Sequence, residues 1–208
     1  FVEANVLDEE GMKYYAENAM YTDDSTLQND ISPETYAKLE QVAELYSLPI
    51  EQLAMQKPWV LSSALSLLAM DDSFGMTAEE MSMHGIDVYF LLNALLQEKP
   101  VRELEGIKAQ VDMFNSLSPE AQEQSLVAVL DSVLQPSEEN DSDILKQWFA
   151  SWKQGDVEAF AKSFQEMQGE GSEFDEMVFG KRDEQMSQNL IKLLEEEEGT
   201  YFVVVGAG

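Results

Sequence analysis

The first five residues, FVEAN, contain the clearest candidates for chemistry in this chain. The run is typical of a short strand, in which alternate side chains lie on the same face. Glu3 and Asn5 are therefore expected to point the same way. A carboxylate beside a carboxamide near the end of a strand can bind a hard cation or position a water molecule. The alternative is a polar pair on an edge strand that faces the solvent.

Two further charged residues stand in apolar surroundings. Asp87 lies in the run GIDVYFLL, and a buried carboxylate needs a partner, so we expect it to be a helix N-cap or the support of a site. Arg182 lies on a predicted helix with apolar neighbours, where it could pair with such a carboxylate or bind an anionic group of a substrate. The alternative for Arg182 is a surface ion pair with an acid three residues away.

Histidine and cysteine chemistry is sparse. His84 is the one histidine and the chain has no cysteine. A single imidazole cannot form a multi-histidine metal site, and nothing around His84 indicates a Ser-His-Asp triad, so a histidine in a loop or a helix cap is the simpler interpretation. Without cysteine the chain has no disulfide, no thiolate nucleophile and no Cys-ligated zinc.

The elements that would position these residues are mostly helices. Ser32-Pro33-Glu34 and Ser118-Pro119-Glu120 are typical helix starts, with serine as the N-cap and proline at the first helical position. Short strands are predicted near residues 1–6, 100–104 and 201–205. Because long helical stretches separate these strands, their connections would be crossovers and the sheet largely parallel.

The predicted fold class is therefore α/β, predominantly helical with a small, largely parallel sheet of short strands. One domain would span residues 1–208, with a helical lobe at about 106–198. A chain of 208 residues with 44% hydrophobic content is long enough for one good core.

The charge balance bounds the partners. Twelve basic against 41 acidic residues give a formal net charge of −29, which argues against nucleic acid and disfavours anionic lipid surfaces. No apolar run is long enough to span a membrane. High acidity points to the cell envelope or the exterior, with the cytoplasm as the alternative location.

Three stretches, taken in order, resemble the TraB/PrgY/GumN family, which includes the Tiki-type proteases. They are FVEAN, HGIDVYFLLNALLQEKPVRELEGIKAQVDMFNSL and FGKRDEQMSQNLIKLLEEEEGTYFVVVGAG. The resemblance covers nearly the whole chain. It is most specific from GID to LE and in the RD-x-x-M helix that is followed by VVVGAG.

The resemblance implies a set of site residues. The family carries two GxxH motifs, one upstream of the VEAN segment and one after the last strand. VVVGAG matches the second motif through its third position, so we expect its histidine directly after Gly208, with Gly206 as the motif glycine. The further matches are Glu3 and Asn5 in the acidic strand, Asp87 in GID, Glu105 in LE, and Arg182 in RD, where Asp183 replaces the asparagine of many members.

For Tiki-like members the resemblance implies metal-dependent peptide hydrolysis. The two GxxH histidines and a glutamate, here Glu3, would act as metal ligands or as the base. A divalent ion such as manganese, cobalt or zinc would activate water against a peptide or small protein substrate. Since neither histidine occurs in these 208 residues, we expect this stretch alone to bind no metal tightly and to be inactive.

Two other functions remain open. The TraB and PrgY names suggest a non-enzymatic protein that binds a peptide or pheromone and shuts its signal down. The third possibility is an acidic helical interaction domain without catalysis.

Overall fold

The structure is a computed structural model that describes residues 1–22, 25–74, 85–135, 141–167, 171–196 and 198–206. Helices dominate these residues. They are α1 (Glu9–Asn18), α2 (Leu27–Asp30), α3 (Pro33–Leu45), α4 (Ile50–Leu53), α5 (Pro58–Phe74), α6 (Ile86–Leu96), α7 (Ile107–Ser116), α8 (Pro119–Leu134), α9 (Asp141–Gln154), α10 (Val157–Met167), α11 (Glu173–Asp175), a π-helical segment (Glu176–Lys181) and α12 (Arg182–Glu196).

Both predicted Ser-Pro-Glu helix starts are confirmed. The Ser32 hydroxyl accepts a hydrogen bond from Thr35 N at 3.2 Å at the start of α3. The Ser118 hydroxyl accepts one from Ala121 N at 3.2 Å at the start of α8. Each serine satisfies a backbone donor that the first helical turn leaves without a partner.

The main core lies between α3, α5 and α8. Its members include Leu39 and Val42 of α3, Leu61 and Leu65 of α5, and Leu126 and Leu130 of α8, each pair at helical spacing, and Leu27 of α2 joins them. A carboxylate also ties two of these helices together, because Glu123 of α8 accepts hydrogen bonds from Ser32 N (2.8 Å) and the Thr35 hydroxyl (2.5 Å). The main core is thus formed by helices packed against one another, without a contribution from a sheet.

A second cluster joins α1 and α7 to the start of α5. Trp59 is buried and stacks on Phe114, with 5.2 Å between ring centroids. Ile107 and Val111 of α7 complete the cluster. This packing fixes α7, and with it the segment that leads into α7.

The predicted small parallel sheet is wrong. Among the described residues no strand forms, and Val2 makes isolated parallel bridges with Glu103 on one side and Val204 on the other. Val2 N donates to Arg102 O (3.0 Å), Leu104 N to Val2 O (2.8 Å) and Val204 N to Phe1 O (2.9 Å). The three segments predicted as strands therefore do pair in parallel, but each pairs through a single residue.

Turns close to the bridged residues limit the pairing. The first segment bends at Glu3 and turns at Val6 and Leu7, and the second turns into α7 at Gly106, whose φ is +91°. A ladder cannot extend past such turns. We call the place where residues 1–3, 102–106 and 202–206 meet the junction. The fold class is thus predominantly helical instead of α/β.

None of the described helices is both long enough and apolar enough to cross a lipid bilayer.

Candidate functional site

Arg182, Glu3 and Glu105 form a charged group at the junction. Arg182 Nε donates to both oxygens of Glu105, at 2.8 Å to Oε2 and 3.1 Å to Oε1, and Arg182 Nη2 contacts Glu3 Oε2. The side chains are 19% (Arg182), 20% (Glu3) and 9% (Glu105) exposed. The three charges come from positions far apart in the chain, and this group would be costly to bury without mutual pairing.

Glu3 is held at several atoms. Its Oε1 accepts a hydrogen bond from Gly206 N at 2.5 Å. Its main-chain oxygen accepts hydrogen bonds from Glu105 N (3.1 Å) and Gly106 N (3.0 Å). A Cβ at position 206 would lie 3.1 Å from Glu3 Oε1, so a glycine permits this close approach. These hydrogen bonds therefore fix the Glu3 carboxylate next to Gly206, the last residue that the structure describes.

Arg182 is positioned by the helix that it begins. The π-helical segment Glu176–Lys181 leads directly into α12, and π-helical turns are frequent next to functional sites. Asn189, two turns beyond Arg182, donates from Nδ2 to Leu104 O at 2.9 Å. Because residues seven apart share a helix face, α12 attaches to the junction through both side chains.

Glu105 has support from α7. Gln110 Nε2 donates to Glu105 Oε2 at 3.2 Å. Neither Gln110 nor Asn189 was among the site residues predicted from the sequence. The available signal for Asn189 was its spacing of seven residues from Arg182, whereas Gln110 offers no comparable signal.

Electrostatics follow from this arrangement. Burial acts to lower the pKa of Arg182, but hydrogen bonds and charges from Glu105 and Glu3 outweigh it and raise that pKa above its ordinary value. Burial raises the pKa of Asp183, and the charges of Glu3 and Glu105 add to this rise while Arg182 opposes it. The site therefore has a permanently charged guanidinium beside an acid that holds its proton more tightly than usual.

Asn5 and Asp87 are not among the partners that the structure describes for Arg182. Asn5 N donates to Glu103 Oε1 (2.6 Å), and Asn5 Oδ1 accepts from Leu7 N (3.1 Å), so its side chain closes a turn. Asp87 is exposed in the first turn of α6, whose N-cap is Gly85. The expected burial of Asp87 is therefore wrong, and so is its expected place as the N-cap. Its role as the support of a site stays a prediction. His84 lies outside the described residues.

A groove of about 690 Å³ lies next to the junction. It is lined by side chains of α6 and by residues 1–2, 99–102, 200–202 and 204. Val2 and Val204, the bridged residues, line it. Val2 immediately precedes Glu3 in the chain.

The described residues do not by themselves fit a divalent metal ion. They contain no group of three or more His, Cys, Asp or Glu side chains that could hold one. Glu3 and Glu105, the carboxylates that converge, both pair with Arg182, and a cation would compete with that guanidinium. Any metal site here would need ligands from beyond these residues.

The fold and site define a predominantly helical protein with an arginine held between two glutamates where distant segments of the chain meet. The chain belongs to the TraB/PrgY/gumN family, whose model matches residues 1–208. The resemblance found in the sequence is thus confirmed. Neither the curated proteins nor the solved structures contain a match to this chain.

Proposed function

We propose that the protein, when it carries both GxxH motifs of its family, is a metal-dependent hydrolase that cleaves peptide bonds at the junction. One observation carries the proposal. Glu3, the carboxylate matched to the family's acidic strand, accepts the main-chain N–H of Gly206, the glycine that matches the second GxxH motif. Membership of the family supports the same assignment.

The residues of this chain have distinct roles in the proposed site. Glu3 is assigned the role of the base that accepts a proton from the attacking water. Arg182 and Gly206 N each take one acceptor position on its two oxygens, and a carboxylate keeps further positions that can receive the water. Arg182 holds the Glu3 carboxylate in place, and Glu105 fixes Arg182 through two hydrogen bonds. When bound, the metal would supply Lewis-acid activation of water. Because the described residues alone do not fit a metal, no catalytic step is assigned to it.

Metal dependence provides the test. The protein carrying both motifs is treated with a chelator, dialysed, and assayed against a mixture of fluorogenic peptides with manganese, cobalt or zinc added back. The proposal expects hydrolysis to disappear with the chelator and to return with at least one metal. Undiminished hydrolysis in the chelator, or none with any metal in folded protein, would contradict it.

A second candidate is a non-catalytic peptide-binding protein, which the groove beside the junction favours. Grooves of several hundred Å³ with apolar walls are typical of ligand sites. The same assay separates the two functions. Saturable peptide binding without turnover under every metal condition would support the second candidate.

A further inference from the structure

We propose that the groove between α6 and the junction binds an extended peptide in which an aromatic or large aliphatic residue is flanked by acidic residues. This inference rests on the proposed function in one respect, namely that the ligand is a peptide. It applies whether the protein cleaves that peptide or only binds it. It names the substrate class that the family assignment leaves open.

The walls of the groove are aromatic. Phe90 of α6 packs against Phe202, with 4.7 Å between ring centroids, and Phe1 contacts Tyr201 at 5.6 Å. Tyr89 and Phe202 nevertheless remain 61% and 62% exposed. Aromatic rings with open faces bind apolar side chains at low entropic cost, because each has only two rotatable bonds.

Helix α6 lines the groove mainly with apolar side chains. Tyr89, Phe90, Leu91 and Ala94 are among the lining residues, and Tyr89, which is 61% exposed, offers a ligand apolar surface. Leu95 and Leu96, which are 64% and 81% exposed, are not among the lining residues. The size of the groove, about 690 Å³, is that of sites for a few side chains.

The charge of the lining selects the occupant. Lys99 and Arg102 line the groove, and none of the described lining residues is an acid, although 41 of the 208 residues are acidic. The rest of the strongly negative surface repels anions. The electrostatic interaction with an acidic peptide is therefore most favourable at this groove. Asn93, Gln97 and Thr200 add polar groups that can bond a peptide backbone.

The groove is continuous with the candidate site along the chain. Val2 lines it and Glu3 is the next residue, while Val204 lines it and Gly206 comes two residues later. Glu3, Gly206 and Arg182 are themselves not among the described lining residues, so the groove adjoins the candidate site through its neighbours in the chain. The choice of a peptide as the occupant rests on the aromatic and basic lining.

Fluorescence anisotropy with defined probes tests the inference. The protein carrying both motifs, with Glu3→Gln to prevent cleavage, is titrated with a labelled, end-capped octapeptide that contains two Phe and two Asp residues. Matched peptides carry Asn or Lys in place of Asp. We expect the Asp peptide to bind about threefold tighter than the Asn peptide and the Lys peptide to bind weakest. Equal affinity for all three peptides would overturn the inference.

Variants locate the binding. Ala94→Trp should fill the groove and lower affinity at least about tenfold, and Lys99→Gln should lower it about threefold without filling any space. Lys13→Gln, on the exposed face of α1 with a 75% exposed side chain, is the matched control and should leave affinity unchanged. An unchanged affinity in both groove variants would overturn the inference.

Two other outcomes are separable. Sedimentation that shows self-association abolished by Ala94→Trp, without peptide binding, would assign the groove to a second copy and overturn the inference. Peptide binding with the expected pattern but no hydrolysis by the protein with an intact Glu3 would leave the inference standing and reject the catalytic function.

Discussion

Arg182 is the residue on which the candidate site depends. It is the cation between Glu3 and Glu105, all three side chains being at most 20% exposed. Its removal leaves two close carboxylates in a place of restricted hydration. The loss of one partner from such a group costs more than the pairing itself contributes.

We therefore predict that Arg182→Gln lowers the free energy of unfolding by about 2–4 kcal/mol. Urea denaturation at pH 7 measures this change. Lys13→Gln is the control, because Lys13 pairs with Glu17 at 3.8 Å on an exposed helix surface, where such pairs contribute about 0.5 kcal/mol or less. Similar losses in both variants would show that the Arg182 group is not a buried pair.

Asp183 gives a second prediction, from pH. Burial, together with the charges of Glu3 and Glu105, raises its pKa against the opposing effect of Arg182. The folded protein then binds this proton more tightly than the unfolded chain does. Its stabilising contribution is therefore present below the unfolded pKa, about 4, and is lost as the pH rises through the raised value.

Asp183→Asn should consequently raise the melting temperature at pH 7 by roughly 1–3 °C, and the gain should shrink toward pH 4. Thermal melts at the two pH values measure it. Glu184→Gln removes the neighbouring exposed acid in the same helical turn and serves as the control. A gain that grows on acidification would contradict the assignment.

At the residue level the sequence predicted part of the site. The structure brings Glu3, Glu105 and Arg182 together, and the matches to the family motifs had selected all three. Asn5 and Asp87 came from the same matches but are not among the described partners of Arg182. The strand rule that put Asn5 on the face of Glu3 requires an extended backbone through residue 5, and the chain bends at Glu3.

At the level of elements, the junction replaces a sheet. The apolar and β-branched residues near 1–6, 100–104 and 201–205 had predicted three strands. The sequence pattern alone could not show that each segment would pair through one residue only. The turn at Gly106 decides this, because its φ of +91° directs the chain into α7. Helix starts were easier to predict, since Ser32 and Ser118 act through contacts within four residues.

The role of Gly106 is testable. Gly106→Ala should lower the free energy of unfolding by about 1–2 kcal/mol, because an L side chain is strained at that backbone conformation. Gly171→Ala is the control, since a Cβ there would meet no atom within 4 Å. Chemical denaturation compares the two variants. Equal stability of Gly106→Ala and the wild type would mean that the turn does not hold the junction.

At the scale of the whole molecule, charge opposes folding. A formal net charge of −29 on 208 residues makes the compact state repel itself. Composition alone was sufficient for this conclusion. The groove, which has no acid among its described lining residues, could be found only from the fold, because those residues come from three separate parts of the chain.

Salt should therefore stabilise the protein. Raising NaCl from about 0.01 M to about 1 M shortens the Debye length from about 30 Å to about 3 Å, and we predict a higher melting temperature by differential scanning calorimetry. KCl at the same concentrations should act alike if screening is the cause. A melting temperature that falls or stays constant would show that self-repulsion is not a significant term.

The most direct test of the account is the turnover of peptide by the metal-supplemented protein that carries both GxxH motifs, compared between Glu3→Gln and Glu103→Gln. Glu103 is an exposed glutamate of the same junction that contacts Asn5 N at 2.6 Å. The account predicts that Glu3→Gln lowers kcat at least about 100-fold and that Glu103→Gln keeps nearly full turnover. Peptide hydrolysis that survives Glu3→Gln would contradict it.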